Sequence, residues 1–152
     1  MEIKLATENQ TGQLANISKA AFDTDITVGC PGIGGPPNYD SEKWHMYMLK
    51  GKKLYAITAD NQVIGGLLLF RDGQDRSSMN LGRIFIDPLY HRKGYGIEAM
   101  SMLEKIFPEI TKWTLETPAW NIRTKNFYKK IGFIEMKSEG GSVYFQKRLG
   151  KP

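Results

Sequence analysis

Apolar positions along the chain switch repeatedly between two periods, and the switches mark out the elements. Ile3 to Ala6 reads as a short strand. Leu14, Ile17 and Ala21 recur three or four apart behind the candidate caps Asn9 and Thr11, which predicts a first helix. Ser41 can cap a short helix running through Leu49 and carrying Trp44, Met48 and Leu49. Leu54–Ala59 and Val63 to about Arg71 read as strands joined by the turn Asp60-Asn61, and Met79–Ile86 as a strand closed by Asp87-Pro88. Ile97, Met100, Leu103, Phe107 and Ile110 give one apolar stripe of a third helix, which Pro108 ends or bends. Trp113–Glu116 is a strand ended by Pro118. Asn121 opens a helix through Ile131, stopped by Gly132, and Phe133–Lys137 and Ser142–Leu149 flank the turn Gly140-Gly141. The order β-α-α-β-β-β-α-β-α-β-β predicts an α/β (α+β) fold with a mixed sheet of about seven strands and helices on both faces.

One segment breaks the pattern. Val28 to Asp40, VGCPGIGGPPNYD, is too rich in glycine and proline for a helix or an inner strand. A long loop of this kind in a compact domain is often functional.

Composition narrows the picture only moderately. The 152 residues suit one domain, and 41% hydrophobic with 24% charged residues is ordinary globular chemistry. The net charge of +5 favours anionic partners without choosing among them. A single cysteine, Cys30, excludes an intrachain disulfide and fits a reducing compartment. The start, MEIKLATENQ, lacks the pattern of a signal peptide. The longest apolar run, Val63 to Phe70, is far shorter than the ~20 residues of a membrane span. A cytoplasmic protein without membrane contact is expected. His45, His91 and Cys30 form no zinc-like spacing, so no metal is expected.

The densest chemistry lies in Tyr90-His91-Arg92-Lys93-Gly94-Tyr95-Gly96, between a predicted strand and a predicted helix. A helix start offers unpaired N–H groups and the positive end of a dipole. Gly94 and Gly96 let that backbone approach an anion, and Arg92 and Lys93 add charge, which together suit a diphosphate. Gly94, Gly96 and Ala99 also fit the dinucleotide pattern G-x-G-x-x-A, with Glu116 about 20 residues on where a ribose-binding acid would sit. Against it, seven residues, Asp87 to Lys93, separate the strand from the first glycine.

The stretch from Leu81 to Gly96, LGRIFIDPLYHRKGYG, resembles the central motif of the GNAT family of N-acetyltransferases: a strand, a loop reading Q/R-x-x-G-x-G/A, and a helix. Asn121, Phe127, Tyr128, Gly132 and Phe133 resemble the family's N-x6-Y-x3-G-F signature in the next unit, in the right order and at the right spacing. His91 departs from the usual Gln or Arg at the first motif position. The resemblance implies a GNAT-like, mostly antiparallel sheet and acetyl-CoA, or another acyl-CoA, as donor. It implies that the backbone of Ile84, Phe85 and Ile86 pairs with the pantetheine arm. His91, Arg92, Lys93, Gly94, Tyr95, Gly96 and Ile97 would hold the diphosphate, and Asn121 would hydrogen-bond pantetheine. Tyr128 would be the general acid that protonates the departing thiolate, with a core aromatic as its plain alternative.

Attack needs a neutral amine, so something must take its proton. The central-strand position that is glutamate in some relatives corresponds to Asn80, which cannot act as a base, and Glu116 is the alternative. The acceptor, a small-molecule or peptide amine, is expected near Tyr39, Asp40 and Trp44, where an aromatic face and a carboxylate suit a cation. A homodimer is common in such a family. A non-catalytic acyl-CoA-binding module of the same fold is the second reading. A nucleic-acid binder is the third, without a recognisable motif to support it.

Overall fold

The computed structural model describes residues 1–150. The elements follow the expected order: β1 (Glu2–Leu5), α1 (Thr11–Asp23), α2 (Glu42–Lys50), β2 (Leu54–Ala59), β3 (Gln62–Arg71), β4 (Ser78–Ile86), α3 (Tyr95–Ile106), β5 (Lys112–Pro118), α4 (Ile122–Lys130), β6 (Ile134–Glu139) and β7 (Ser142–Arg148). Short 3-10 turns fill Thr24–Val28, after α1, and Pro88–Tyr90, after β4. The β2–β3 hairpin turns on Asp60 and Asn61 at φ 51° and 64°. These residue types tolerate the left-handed region that a two-residue hairpin requires. The third helix stops at Ile106, short of Ile110. Phe107 precedes Pro108 and leaves the helical region at φ −118°, ψ 67°, as the proline ring demands of its predecessor. Ile110 is still fully buried, from the turn that follows.

The strands form one sheet in the order β1-β2-β3-β4-β5-β7-β6. Every neighbouring pair is antiparallel except β4 and β5. One face carries α1 and α2 over Leu14, Ile17, Leu54, Leu68 and Phe85. The other carries α3 and α4 over a larger cluster that includes Met100, Leu103, Trp113, Tyr128 and Phe145. Each such large side chain contributes about 1.5–3 kcal/mol when fully buried, so the α3–α4 face is the heavier half of the core. No helix among the described residues is long and apolar enough to cross a membrane.

Two features of β4 prepare the site. Leu68 of β3 opposes Arg83, but the next residue, Leu69, opposes Leu81, which leaves Gly82 as an unopposed bulge. A Cβ on Gly82 would lie 2.3 Å from the Phe70 ring, so any larger residue would force that ring to move. The extra residue reverses the alternation. Met79, Leu81, Ile84 and Ile86 all pack on the α3–α4 side, while Phe85 faces α1 and α2 and Arg83 lies over Trp44 of α2. Secondly, β4 and β5 pair only at Ser78↔Lys112, Met79↔Trp113 and Asn80↔Thr114. Asn80 pins that last rung, its amide donating to Thr114 O at 3.2 Å and to Thr114 Oγ1 at 3.1 Å. Beyond it the two parallel strands part and leave a wedge in the middle of the sheet.

Candidate active site

The wedge exposes strand backbone. Asp87 N–H donates to Ile64 O of β3 at 2.7 Å. In an alternating antiparallel ladder this turns the polar groups of Ile84 and Ile86 away from β3 and into the wedge. One of them is already taken, since His91 Nε2 lies 2.6 Å from Ile86 O. A carbonyl can only accept, so Nε2 is the donor, and His91 braces the strand end instead of reaching toward an anion as its motif position implied.

At the mouth of the wedge stands the start of α3. Arg92 at φ 62° and Gly94 at φ 80° turn the chain into the helix. Gly94 is the N-cap and supplies no side-chain hydrogen bond. By contrast, α2 is capped by Ser41 Oγ accepting from Trp44 N at 3.1 Å, and α4 by Asn121 Oδ1 accepting from Thr124 N at 3.1 Å. The first N–H groups of α3 are therefore left without a side-chain acceptor, and nothing lies within 4 Å of where a Gly94 Cβ would stand. Arg92 and Lys93 are exposed beside it, and Lys93 Nζ lies 5.8 Å from the Tyr90 ring centroid. Ile97 is 42% exposed in the first turn, so it belongs to the rim and not to the buried stripe that its spacing predicted. Gly96 has the Phe127 ring 3.3 Å from its would-be Cβ, which sets α3 closely against α4.

Across the wedge, α4 carries Asn121 and Tyr128. Asn121 is 2% exposed and is a helix cap by geometry. Tyr128 is buried among Phe127, Phe133 and Phe145 at ring centroid distances of 5.2, 5.6 and 6.3 Å. Burial pushes the Tyr128 hydroxyl far above the usual phenol range, because a phenolate there would lose its hydration. The proton therefore stays on the oxygen at any ordinary pH. Glu116 is exposed on β5. Its cross-strand partner is Tyr144, whose hydroxyl the neighbouring Glu116 carboxylate holds above the usual phenol range.

The α1–α2 side is built from residues far apart in the chain. Tyr39 O–H donates to Asp23 Oδ1 at 2.7 Å, and its ring meets Phe22 edge-on. Asp40 is exposed. The Trp44 face predicted to receive a cationic acceptor is covered instead by the protein's own Arg83, its guanidinium 4.3 Å from the ring centroid. His45 is fully buried beneath. Its Nδ1 is 2.6 Å from Ser41 O, and its ring meets Trp44 and Phe85 edge-on. Burial lowers its pKa and keeps it neutral. Nearer the wedge, Arg123 of α4 donates to Asp25 Oδ1 at 2.7 Å and to Thr24 Oγ1 at 3.0 Å, which ties the turn after α1 to the start of α4. Burial outweighs Arg123 and the Asn121 amide and raises the Asp25 carboxyl above the usual range.

Arg83 and the Asp25–Arg123 pair were not among the sequence-predicted site residues. A glycine inside a strand pattern is a bulge signal, and Gly82 next to a charged residue could have pointed to Arg83. Nothing in the spacing of Asp25 and Arg123 could have paired them. No group of three or more side chains able to hold a metal occurs among the described residues. A depression lined by Arg71, Asp72, Asn80 and Lys112 lies at the opposite, paired end of β4 and has neither a glycine turn nor a free strand edge.

With this geometry in hand, likeness to known proteins becomes informative. A family model described as the acetyltransferase (GNAT) family matches residues 22–133. A Bacillus subtilis protein, YrkN, is 28% identical over 120 residues; the match covers 77% of this chain and 64%, just under two thirds, of that relative's length. Among solved structures, the PaiA N-acetyltransferase of Thermoplasma acidophilum in complex with coenzyme A superposes with a TM-score of 0.77 at 18% identity, covering 97% of this chain and 98% of that one. An acetyltransferase of Thermus thermophilus gives a TM-score of 0.80 at 13% identity, covering 97% and 96%.

Proposed function

The chain belongs to the acetyltransferase (GNAT) family, and from that membership we propose that it is an N-acetyltransferase, taking the acetyl group of acetyl-CoA to a primary amine. The observation that carries the reading is the wedge between β4 and β5, with an uncapped helix start at its mouth. An extended pantetheine arm can complete the missing ladder along Ile84 to Ile86, as a peptide does at a sheet edge. The Ile86 carbonyl, already engaged by His91, keeps only one lone pair for it. The uncapped N–H groups of Tyr95, Gly96 and Ile97, with Arg92 and Lys93, suit the diphosphate. Asn121 would meet the arm through the amide hydrogen that Asp25 does not take.

In the reaction the amine lone pair attacks the thioester carbonyl carbon. A C–N bond forms, the carbonyl electrons move onto oxygen, and their return breaks the C–S bond. The thiolate takes a proton from Tyr128 O–H, and the amine nitrogen gives one to a base. Burial guarantees that Tyr128 enters the reaction protonated but also makes it a weak acid. Its transfer must therefore be concerted with C–S cleavage, and the proton released by the amine returns through solvent to restore the phenol. Glu116, on the open face of β5, is the carboxylate assigned to the second transfer, directly or through water. Orientation in the wedge would supply much of the rate.

The replacement of a central-strand carboxylate by Asn80, whose amide is spent pinning Thr114, favours one second reading, an acyl-CoA-binding module without turnover. Calorimetric titration with acetyl-CoA, CoA and NAD, followed by thiol release over an amine panel, separates the possibilities. Micromolar acetyl-CoA binding with thiol release supports transfer. Binding without release on any amine supports the module. NAD binding without acetyl-CoA binding would overturn both.

A further inference from the structure

Arg83 sits at the bulge of β4, where the wedge begins, with its side chain on the α1–α2 face. It is half-buried. Nη2 donates to Pro37 O, in the glycine- and proline-rich loop, at 2.5 Å. Nη1 is buried and has no partner. Among the described residues no carboxylate forms an ion pair with Arg83. Burial alone pulls its pKa down, to about 10, and no acidic neighbour opposes that shift. A guanidinium taken this far out of water is ordinarily paired, because the desolvation of its charge goes otherwise uncompensated. The Trp44 ring and one backbone carbonyl offset part of that cost and hold the fork in a fixed orientation. They leave both its charge and one donor atom unmatched.

We propose that Arg83 receives an oxyanion of the acceptor, so that the acceptor is an amine that also bears a carboxylate or phosphate, as an amino acid does, and not a polycation. This rests on the acyl-transfer reading of the wedge and names its substrate class. The planar fork suits an oxyanion, and a fixed positive charge at the start of the wedge repels a second cation. The loop that Arg83 grips through Pro37 becomes the cover of the acceptor side. Tyr39 and Asp40 then belong to the rim of that cover, and Trp44 orients the guanidinium in place of the acceptor.

The test is steady-state thiol release with acetyl-CoA and matched acceptors: amino acids against their carboxamides, ethanolamine phosphate against ethanolamine, and spermidine as the cationic arm. The wild-type protein is expected to favour the anionic member of a pair by about 100-fold in kcat/KM, chiefly through KM, the size of a lost charge-assisted hydrogen bond. Whether the carboxylates or the phosphate carry the preference identifies the oxyanion. Arg83→Gln should collapse the preference toward unity while acetyl-CoA still binds, and Arg83→Lys should restore part of it. Equal use of amides or spermidine by the wild type overturns the proposal, as does a preference that survives in Arg83→Gln. If acetyl-CoA binds and nothing is acetylated, the transfer reading falls. Calorimetry of the same acids on the CoA-loaded protein then decides: binding lost in Arg83→Gln supports the oxyanion site, and no binding, or equal binding, refutes it.

Discussion

The two sides of the wedge are made of different materials. The donor side is backbone: a free strand edge at Ile84 to Ile86 and an uncapped helix start at Gly94, all within one short stretch of chain. The acceptor side is side chains: Arg83 on Trp44, its fork on Pro37, and Arg123 on Asp25. On the proposed reading, backbone would recognise what is common to every donor molecule, an amide-bearing arm and a diphosphate. Side chains can be exchanged singly, so the proposed acceptor, the variable partner, would be read by them. One fold can thus keep its donor and change its acceptor.

The sharpest break in that comparison is Tyr128, a side chain on the donor side. Tyr128→Phe keeps the ring among Phe127, Phe133 and Phe145, and should lower kcat by about 100-fold or more, the usual worth of a positioned acid. Acetyl-CoA affinity by calorimetry should stay near the wild-type value. An unchanged kcat would remove Tyr128 from the chemistry. Next in size is Gly94→Ala. With nothing near its Cβ, the cost to folding is only that of the left-handed backbone, about 1–2 kcal/mol. Acetyl-CoA affinity should fall about tenfold or more if the backbone there is the diphosphate cradle. A Gly94→Ala protein that melts lower and binds normally would show that the glycine serves the fold alone.

The acceptor side should also reveal itself through pH. The pKa of His45 is lowered from 6.5 by burial, so the unfolded chain takes up a proton more readily than the folded one. This contribution is fully favourable above pH 6.5 and is lost as pH falls toward the lowered folded value. Thermal melts at stepped pH should show that decline, and it should flatten in His45→Phe whatever the variant's absolute stability. The smallest effect expected is on the donor side, from Arg92→Ala or Lys93→Ala. Both side chains are exposed, so each should weaken acetyl-CoA binding by only ~2–5-fold, and less as salt rises. A loss as large as that of Gly94→Ala would mean the cradle is made of charge and not of backbone.

The same contrast explains what could be read in the sequence. The local structure of the segment proposed for the donor was legible because its parts are contiguous. Strand, turn residues and amphipathic helix occur in order, and Asn121 to Phe133 repeat that compactness. Element order and the ends of most strands followed from periodicity, and Pro108 marked the stop of α3. The contacts on the α1–α2 face were not legible, because they join distant residues. Tyr39, Asp40 and Trp44 were located by composition, but the cation over Trp44 came from Arg83, whose contact with Pro37 has no counterpart in any local spacing. The bulge at Gly82 decided which face Arg83 occupies, and a strict period-two reading of β4 assigns the wrong one. Ile97 was misplaced for a similar reason. Its spacing is helical, but it lies in the first turn, where α3 rises clear of the sheet.

The short ladder between β4 and β5 has a mechanical consequence. Among the described residues, the strand ladder between the sheet's two blocks, β1–β4 and β5–β7–β6, has only three rungs, reinforced by the Asn80 pin and by Ser77 O accepting from Thr111 and Lys112 N–H. The rest of the joint is left to whatever fills the gap. On the proposed reading, a donor molecule lying there would act as a removable strand, a spline driven into a half-cut joint. The amides of Ile84 and Ile86 should then exchange their hydrogens quickly in the empty protein and slowly in the filled one, while Met79 and Trp113 at the closed end scarcely notice the difference. If so, substrate would finish the architecture before taking part in the chemistry.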